Sequence, residues 1–376
     1  MIKKSLSNHL LSIPGWRTDR KIIVIESDDW GSVRMPSKEV YYSLIKKGIR
    51  VDQCHYCKND SLETESDINA LFEILSSAKD IRGNFAQFTA NAVVANPDFV
   101  MIKSNKFEKY YFKEITKSFK EFKGCQKSLE LLKEGVKIGL LSIQSHGREH
   151  LNINRWMSYL RNNSPEAKIA FDYGVYGIST TISAEKRKSF LPAFDFETTT
   201  EESQVNEIAI DGLKIFNNIF GYKSSSFIAP NYVWSKSLEN AISKEKVMYI
   251  QGNRLHTYKV PEGLKSTQRL RYFGKKNGNG QLDLIRNATF EPSESPDKDW
   301  VDSCLNEIKT AFFWKHPVVI CSHRVNYMGS LNEKNRNVNL QKLKRLLFEI
   351  KKRWPDVEFM SSDQLGQLIT QSNDEG

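Results

Sequence analysis

Short runs of apolar and β-branched residues recur along the chain at intervals that suit buried strands. In the first, residues 21–27, the four positions 22–25 are apolar without interruption rather than at every second position. Continuous apolar runs of this length indicate strands that are covered on both faces, as in parallel sheets. Seven further runs have the same character, at residues 85–89, 138–144, 226–229, 247–251, 282–286, 318–322 and 357–360.

Amphipathic helical patterns separate these runs. Apolar positions follow helical spacing over residues 299–312, and a leucine-rich stripe over residues 340–350 ends before Pro355. Alternating strands and helices predict an α/β fold, either a barrel or a doubly wound sheet. In both architectures catalytic groups lie at the carboxyl ends of the strands, so the residues that follow each strand are the candidates for chemistry.

Chemically reactive residues follow several of the predicted strands. In chain order, the strand ends carry Asp28 and Asp29, then His146 and His150, then an aromatic and polar turn at residues 230–234, and then His323. An adjacent Asp pair alone is typical of a helix cap or turn, and a lone His pair is typical of a packed core. Their joint occurrence at successive strand ends favours a functional site.

Two histidines four residues apart can face one point where the chain turns helically. With one carboxylate they provide three protein ligands and leave room for water and substrate, which is typical of a catalytic metal site. The second carboxylate is then free to act as a base. The remaining histidines have no comparable setting: His9, His55, His256 and His316.

The chain carries a net charge of +10, from 55 Lys and Arg against 45 Asp and Glu. This charge is compatible with nucleic acid, an anionic glycan or a phosphate-bearing sugar carrier as a partner. Most basic runs are interleaved with acidic or apolar residues, which favours solvated helix faces and no nucleic-acid partner. The strongest basic and aromatic stretch, residues 103–111, also fits an amphipathic helix.

The five cysteines are scattered and odd in number, which favours reduced thiols. No apolar run is long enough for a membrane span, and residues 1–16 lack the apolar core of a signal peptide. We therefore expect a cytoplasmic protein. The segment Cys54-His55-Tyr56-Cys57 lacks the second cysteine pair of a zinc ribbon and is interpreted as a loop.

Two segments resemble motifs of the polysaccharide deacetylases, carbohydrate esterase family 4. Asp28-Asp29 followed by Gly31 resembles their first motif, Thr-Phe-Asp-Asp-Gly. The segment 146–150, His-Gly-Arg-Glu-His, resembles their second motif, His-Ser/Thr-x-x-His, at the same spacing.

Two later segments complete the resemblance. Pro230, in the sequence Ile-Ala-Pro-Asn-Tyr, resembles the third motif, and Ser322-His323 after an apolar strand resembles the last, Leu-x-His. The resemblance extends from about residue 21 to residue 369. It implies a distorted (β/α) barrel with about seven parallel strands. Residues 1–376 would form one domain, with an insertion at about 35–80 and additional elements at about 151–215.

The resemblance also implies roles for the strand-end residues. Asp29 would bind a metal beside His146 and His150, Asp28 would be the general base, and His323 the acid that protonates the leaving group. The ion would be divalent, with Zn²⁺ the first choice and Co²⁺, Ni²⁺ or Fe²⁺ as alternatives. The reaction would remove an N- or O-acetyl group from a sugar, a polysaccharide or its precursor.

Other residues near the motifs are candidates for contacts with an acetylated carbohydrate. The expected substrate-binding residues are Trp30, Asn231, Tyr232, Trp234 and Arg148. Core packing is an equally good explanation for any one of the aromatic residues.

Two departures from the family pattern stand out. Trp30 is inserted before the glycine of the first motif, where it could exchange the roles of the two aspartates. Ile228 stands where the third motif carries an Arg that orients the base. Four arginines are possible substitutes, between which the sequence does not choose: Arg148, Arg254, Arg286 and Arg324.

Three other functions fit part of the sequence. A non-catalytic carbohydrate-binding protein on the same fold is the main alternative. An iron oxygenase with two histidines and one carboxylate fits the ligand set, but the His-x-Asp spacing of such sites is missing. A nucleic-acid-binding protein fits only the net charge.

Overall fold

The structure, a computed structural model, describes residues 14–374. His9 and most of the segment 1–16, for which no signal peptide is predicted, lie outside the described residues. The strands are β1 (Lys21–Trp30), β2 (Phe88–Ala92), β3 (Ala95–Pro97), β4 (Phe112–Glu114), β5 (Leu141–Ser145), β6 (Ser226–Phe227), β7 (Tyr249–Gly252), β8 (Leu255–Thr257), β9 (Gln268–Leu270), β10 (Leu282–Ile285), β11 (Ala288–Thr289), β12 (Val318–His323) and β13 (Val357–Met360).

Helices connect and cover these strands. They are α1 (Lys38–Lys46), α2 (His55–Asn59), α3 (Glu65–Ser76), α4 (Phe99–Ser104), α5 (Ile115–Glu121), α6 (Ser128–Lys137), α7 (Ile153–Arg161), α8 (Pro165–Asp172), α9 (Thr199–Phe220), α10 (Lys236–Lys244), α11 (Trp300–Phe313), α12 (Glu333–Arg353) and α13 (Ser362–Asp374).

Within residues 14–374, nine strands form one curled sheet, and the strands pair in parallel. Their order is β10-β7-β6-β5-β2-β1-β12-β11, and β13 pairs with the first residues of β1. The predicted α/β class, and the distorted (β/α) barrel that the family resemblance implies, are confirmed. The sheet has nine strands rather than about seven, because β6 and β11 are only two residues long and still pair with their neighbours.

Strand β1 is the centre of the sheet and is buried on both faces. Ile23 and Ile25 pack in a core with helices α3, α11 and α12. Ile22 and Val24 point the other way, into a second core with β10 and α13. Each such side chain contributes about 1.5–3 kcal/mol by burial, which explains the continuous apolar run. Among residues 14–374, no helix combines the length and apolar character that a bilayer crossing requires.

Each of the eight predicted strands has an observed counterpart that differs from it mainly at the ends. Helix α11 begins where the pattern predicts, because the Asp299 side chain accepts a hydrogen bond from the N–H of Asp302 at 3.0 Å. The helix predicted over residues 103–111 is wrong. Helix α4 ends at Ser104, and Lys106 and Phe107 adopt positive φ values of 52° and 65°, which no helix accommodates.

Candidate metal and catalytic site

Strand β1 ends in a bulge that brings two adjacent carboxylates to one cavity. Its pairing with β2 shifts register between Ser27 and Trp30, and Asp29 has a φ of 76°. Neighbouring side chains of a regular strand point to opposite faces. The left-handed conformation at Asp29 breaks this alternation, so Asp28 and Asp29 both line the cavity. Such strained residues concentrate at functional sites.

The glycine after this bulge should tolerate no side chain. Gly31 has a φ of 80°, and a Cβ there would lie 2.6 Å from the carbonyl oxygen of Val93. Gly48 has a similar φ of 87° but open space around it. We expect Gly48→Ala to cost about 1–2 kcal/mol of unfolding free energy, from the left-handed backbone alone. Gly31→Ala should cost roughly 1–3 kcal/mol more, because backbone must move.

Denaturant unfolding of the two variants measures this difference directly. Because both carry the same backbone strain, the comparison isolates the clash with Val93. Equal losses in the two variants would contradict the close packing described for the bulge.

Asp29 lies beside two histidines at the carboxyl edge of the sheet. Its Oδ1 atom is 3.5 Å from Nε2 of His146 and 3.5 Å from Nε2 of His150. One ligand atom from each of the three residues falls within a cluster 4.8 Å across, and all three residues are buried. This is the carboxylate and two-histidine set predicted from the sequence.

The histidines are held in a form that suits metal binding. His146 donates from Nδ1 to the carbonyl of Ile228 at 2.9 Å, so its Nε2 carries a lone pair. That Nε2 is buried and has no hydrogen-bond partner in the described part of the chain. Burial lowers the pKa of His150 to about 3, so the imidazole of His150 is neutral at neutral pH. The donor set therefore fits a divalent transition-metal ion.

The two histidines converge without a helical turn. Residues 146–152 are irregular, and helix α7 starts only at Ile153. The bend is held by the carbonyl of Arg148, which accepts hydrogen bonds from the N–H groups of Val94 and Ala95 at 2.9 and 2.8 Å. The imidazole centroids lie 5.2 Å apart.

Arg148 stabilises this bend and is not placed to contact a substrate. Its guanidinium pairs with Glu149 at 2.6 Å and with Asp211 at 2.8 Å, and it stacks on Phe112. Arg148 is buried, and it does not line the cavity that contains the three candidate metal ligands. The role predicted for Arg148, contact with the substrate, is therefore replaced by a structural role in holding the bend.

Asp28 is held on the other side of the cluster by Arg286, directly after β10. The guanidinium donates from Nη2 to Oδ1 at 2.6 Å and from Nη1 to Oδ2 at 2.8 Å. Asn91 donates a further hydrogen bond to Oδ1 at 2.8 Å. Although burial raises the pKa of Asp28, Arg286 outweighs it and holds that pKa well below its usual range. Asp28 is therefore an ionised carboxylate.

Arg286 takes the place expected for the missing third-motif arginine. Of the other candidates, Arg148 pairs with Glu149, and Arg324 pairs with Asp60 and Glu63. Arg286, in contrast, forms an ion pair with Asp28 at 2.6 Å. It reaches that carboxylate from a different strand, which is why the sequence position of the motif arginine gave no indication of it.

His323 faces Asp28 at the end of the neighbouring strand. The two residues are register partners of β1 and β12, and Nε2 of His323 lies 3.8 Å from Oδ2 of Asp28. Nδ1 lies 2.6 Å from Oε1 of Glu291, which also accepts a hydrogen bond from Asn326. Burial lowers the pKa of His323, but Glu291 and then Asp28 raise it well above its usual value. His323 is therefore protonated and able to donate a proton.

The other predicted substrate-binding residues divide into two groups, those that line the cavity and those that are buried in the cores. Asn231 and Tyr232 line the cavity, with positive φ values of 54° and 57° in the turn after β6. Tyr232 accepts a hydrogen bond from Arg286 at 2.8 Å. The prediction that Trp30 and Trp234 contact the substrate is wrong, because these side chains are only 1% and 3% exposed and lie in the hydrophobic cores.

Each buried tryptophan satisfies its indole N–H within the protein. The indole of Trp30 donates to Ser27 at 3.0 Å. That of Trp234 donates to Glu239 at 3.0 Å and stacks on His256 at 3.5 Å. Because both side chains are almost fully buried and their polar edges are satisfied, neither is left free to contact a sugar ring.

The cavity above the cluster has a volume of about 440 Å³. The segment around Cys54 closes one side of it, and Cys54, His55 and Tyr56 line it. The interpretation of this segment as a loop is wrong, because residues 51–53 form a short 3₁₀ helix and α2 follows. His55 thus belongs to the site, contrary to the prediction.

A larger cavity of about 590 Å³ lies near the amino ends of β2, β5 and β13. It is lined by residues such as Phe85, Gly139 and Phe359, and its Arg82 and Glu358 are paired with each other at 2.5 Å. The cavity at the carboxyl ends is the better candidate, because it gathers ionisable groups with displaced pKa values.

Glu291 and Arg34 are among the polar residues near the site that the sequence did not indicate. Glu291 follows β11, which is too short to be visible as a strand. Arg34 follows the turn at Gly31 and lines the cavity. Only a rule that inspects every residue after every strand, including two-residue strands, could have indicated Glu291.

No protein-family model and no curated protein matches the chain. Among solved structures, the chain is similar to a protein from Mycobacterium smegmatis assigned as a polysaccharide deacetylase. The two are 10% identical with a TM-score of 0.46, over 96% of this chain and 94% of that one.

Two further solved structures show the same degree of likeness. The first is a protein from Pseudomonas aeruginosa PAO1 assigned as a polysaccharide deacetylase, at 11% identity and TM-score 0.43, over 93% and 91% of the two chains. The second is Puue allantoinase, at 11% identity and TM-score 0.44, over 94% and 91%. Two of these three proteins are assigned as polysaccharide deacetylases.

Proposed function

We propose that this protein hydrolyses an acetyl group, linked through nitrogen or oxygen, from a sugar, a polysaccharide or a polysaccharide precursor. One observation carries the proposal. An ionised Asp28, held by Arg286, and a protonated His323, held by Glu291, face each other 3.8 Å apart beside a carboxylate and two-histidine cluster. Groups in opposite protonation states at one site suit paired acid and base catalysis.

Asp29, His146 and His150 are the residues that would hold a divalent metal ion. When bound in such a site, the ion lowers the pKa of water and stabilises negative charge on the acyl oxygen. The identity of the ion stays a prediction, with Zn²⁺ the first choice. A cytoplasmic location also stays a prediction.

The roles of the other residues follow from their protonation. Asp28 is ionised and accepts the proton of the attacking water, and Arg286 keeps both carboxylate oxygens oriented. His323 carries a proton on Nε2, the nitrogen that faces Asp28, and donates it to the nitrogen or oxygen of the departing sugar. Asn231 and Tyr232 line the wall against which the sugar would lie.

Acetate release from a panel of N- and O-acetylated sugars and oligosaccharides tests the proposed function. Wild-type protein should release acetate from at least one member, and a chelator should suppress the release. Binding of a sugar without acetate release would favour the non-catalytic carbohydrate-binding protein instead. Release that depends on oxygen would indicate the iron oxygenase.

Replacing Glu291 by Gln should shift the pH dependence of the reaction. The Glu291 carboxylate stabilises the imidazolium of His323, so its loss should lower the pKa of that group. His323 acts as an acid only when protonated, and activity therefore falls as pH rises through its pKa. The alkaline limb of kcat/KM should accordingly move to lower pH in Glu291→Gln.

The exposed Glu294, three residues further on, provides the matched control. Glu294→Gln removes the same charge from the same segment without touching His323 and should leave the alkaline limb in place. An unchanged limb in Glu291→Gln would show that His323 is not the acid.

A further inference from the structure

Arg34 places a guanidinium at the wall of the cavity that also contains the three candidate metal ligands. It is only 6% exposed and lines the same cavity as Asp29, His146 and His150. The two residues before it are held by hydrogen bonds. The N–H of Val33 donates to Asn96 at 2.8 Å, and the carbonyl of Ser32 accepts from Arg324 at 2.8 Å.

The Arg34 guanidinium differs from the other buried guanidiniums near the site in forming no direct ion pair, although burial, which lowers its pKa, is outweighed by the nearby carboxylates of Asp29 and Asp60. Arg148, Arg286 and Arg324 each form ion pairs at 2.6–2.9 Å. Among residues 14–374, no hydrogen bond or ion pair to Arg34 is found, and its contact is with the ring of Tyr56, 5.0 Å from the guanidinium carbon. A buried cation without a paired anion is unfavourable. The cavity is thus prepared for an anion.

The surroundings of Arg34 leave room for such a group. Gly177 lies against it, because a Cβ at that position would be 2.9 Å from Nη1. The hydroxyl groups of Ser179 and Thr181 line the same wall and lie 2.8 Å from each other. Planar guanidinium and hydroxyl donors together suit the oxygens of a carboxylate or a phosphate.

We propose that Arg34 binds an anionic group, a carboxylate or a phosphate, on the same sugar that carries the acetyl group. The inference rests on the proposed function for the identity of that sugar. It narrows the substrate from acetylated carbohydrates in general to those with a negative charge close to the acetyl group. A neutral acetylated sugar would leave the guanidinium buried and unpaired.

Calorimetric binding of three probes tests the proposal. N-acetylglucosamine 1-phosphate carries a phosphate, N-acetylmuramic acid carries a carboxylate, and N-acetylglucosamine is neutral. At least one anionic probe should bind about 10- to 100-fold more tightly than the neutral one, the usual worth of hydrogen bonds to a charged group. The tighter of the two identifies the anion.

Arg34→Met should remove the preference for the anionic probe and leave binding of N-acetylglucosamine within about threefold. Arg50→Met is the matched control, since Arg50 is an exposed arginine of the neighbouring segment, paired with Asp52 and outside the cavity lining. It should retain the preference. Equal affinities for all probes in the wild type, or an undiminished preference in Arg34→Met, would overturn the proposal.

Thermal unfolding distinguishes binding from a structural role. Because Arg34→Met replaces an unpaired buried cation by an apolar side chain, its melting temperature should be no lower than that of the wild type. A lower melting temperature together with weaker binding of all three probes would show that Arg34 is structural and overturn the proposal. Arg34→Lys keeps the charge without the planar fork and should recover part of the preference.

The outcome separates this inference from the proposed function. A preference that depends on Arg34, without acetate release from any probe or panel member, would support the anion site and contradict the deacetylase. Acetate release at equal kcat/KM from neutral and anionic sugars would support the deacetylase and contradict the anion site.

Discussion

The double variant His146→Ala/His150→Ala should contain no bound metal and release no acetate. It removes two of the three side chains in the cluster, and a single carboxylate does not hold a transition-metal ion in competition with water. Elemental analysis of purified protein measures metal content, and acetate release measures activity. Both should fall to background together.

His55→Ala is the matched control for this variant. His55 lines the same cavity but is not among the clustered ligand atoms, so the control should keep its metal. Equal metal content in the double variant and in the wild type would show that His146 and His150 do not bind the metal. A far-UV spectrum that matches the wild type would show that the variant is folded.

Asp28→Asn should retain the metal and lower kcat by about 10²–10⁴, the usual worth of a positioned acid–base group. The amide keeps the shape of the side chain but accepts no proton from water at neutral pH. Asp29→Asn should behave differently, with loss of metal and activity together. Substrate affinity in Asp28→Asn should be little changed.

The opposite pattern would show exchanged roles. If Asp28→Asn loses the metal and Asp29→Asn keeps it, the two carboxylates are assigned in the wrong order. The geometry argues against exchange, because Asp29 faces both histidines and Asp28 is bound by Arg286. Full activity in both variants would leave only a binding protein.

The apolar pattern was sufficient to predict the sheet and the edge at which the site lies. Residues 21–27 form most of β1, and 357–360 match β13 in full. The carboxyl-end rule then located Asp28, Asp29, His146 and His323 on one side. This succeeded because continuous burial on both faces leaves a strong signal in the sequence.

The details of side-chain direction were not predictable in the same way. The left-handed conformation of Asp29 sets which way the pair points, and no apolar pattern encodes it. Which of the four arginines binds Asp28 depends on which strand end faces the end of β1 across the barrel. That neighbour relation is a property of the topology and not of the local sequence.

Aromatic residues near motifs were the weakest part of the prediction. Trp30 and Trp234 stand beside catalytic candidates in sequence and yet point into the cores. A tryptophan buries so much apolar surface that packing competes strongly with ligand contact. Tyr232, in contrast, lines the cavity because its turn adopts a positive φ of 57°.

The most direct test of metal-dependent hydrolysis measures acetate release in water enriched in ¹⁸O. The protein is first depleted of metal with a chelator, and metal is then restored. The substrate is the best member of the acetylated panel. The account predicts that chelation stops release, that Zn²⁺ or another divalent ion restores it, and that the acetate carries one ¹⁸O atom from water. Release that is unaffected by chelation, or acetate without the label, would contradict metal-dependent hydrolysis at this site.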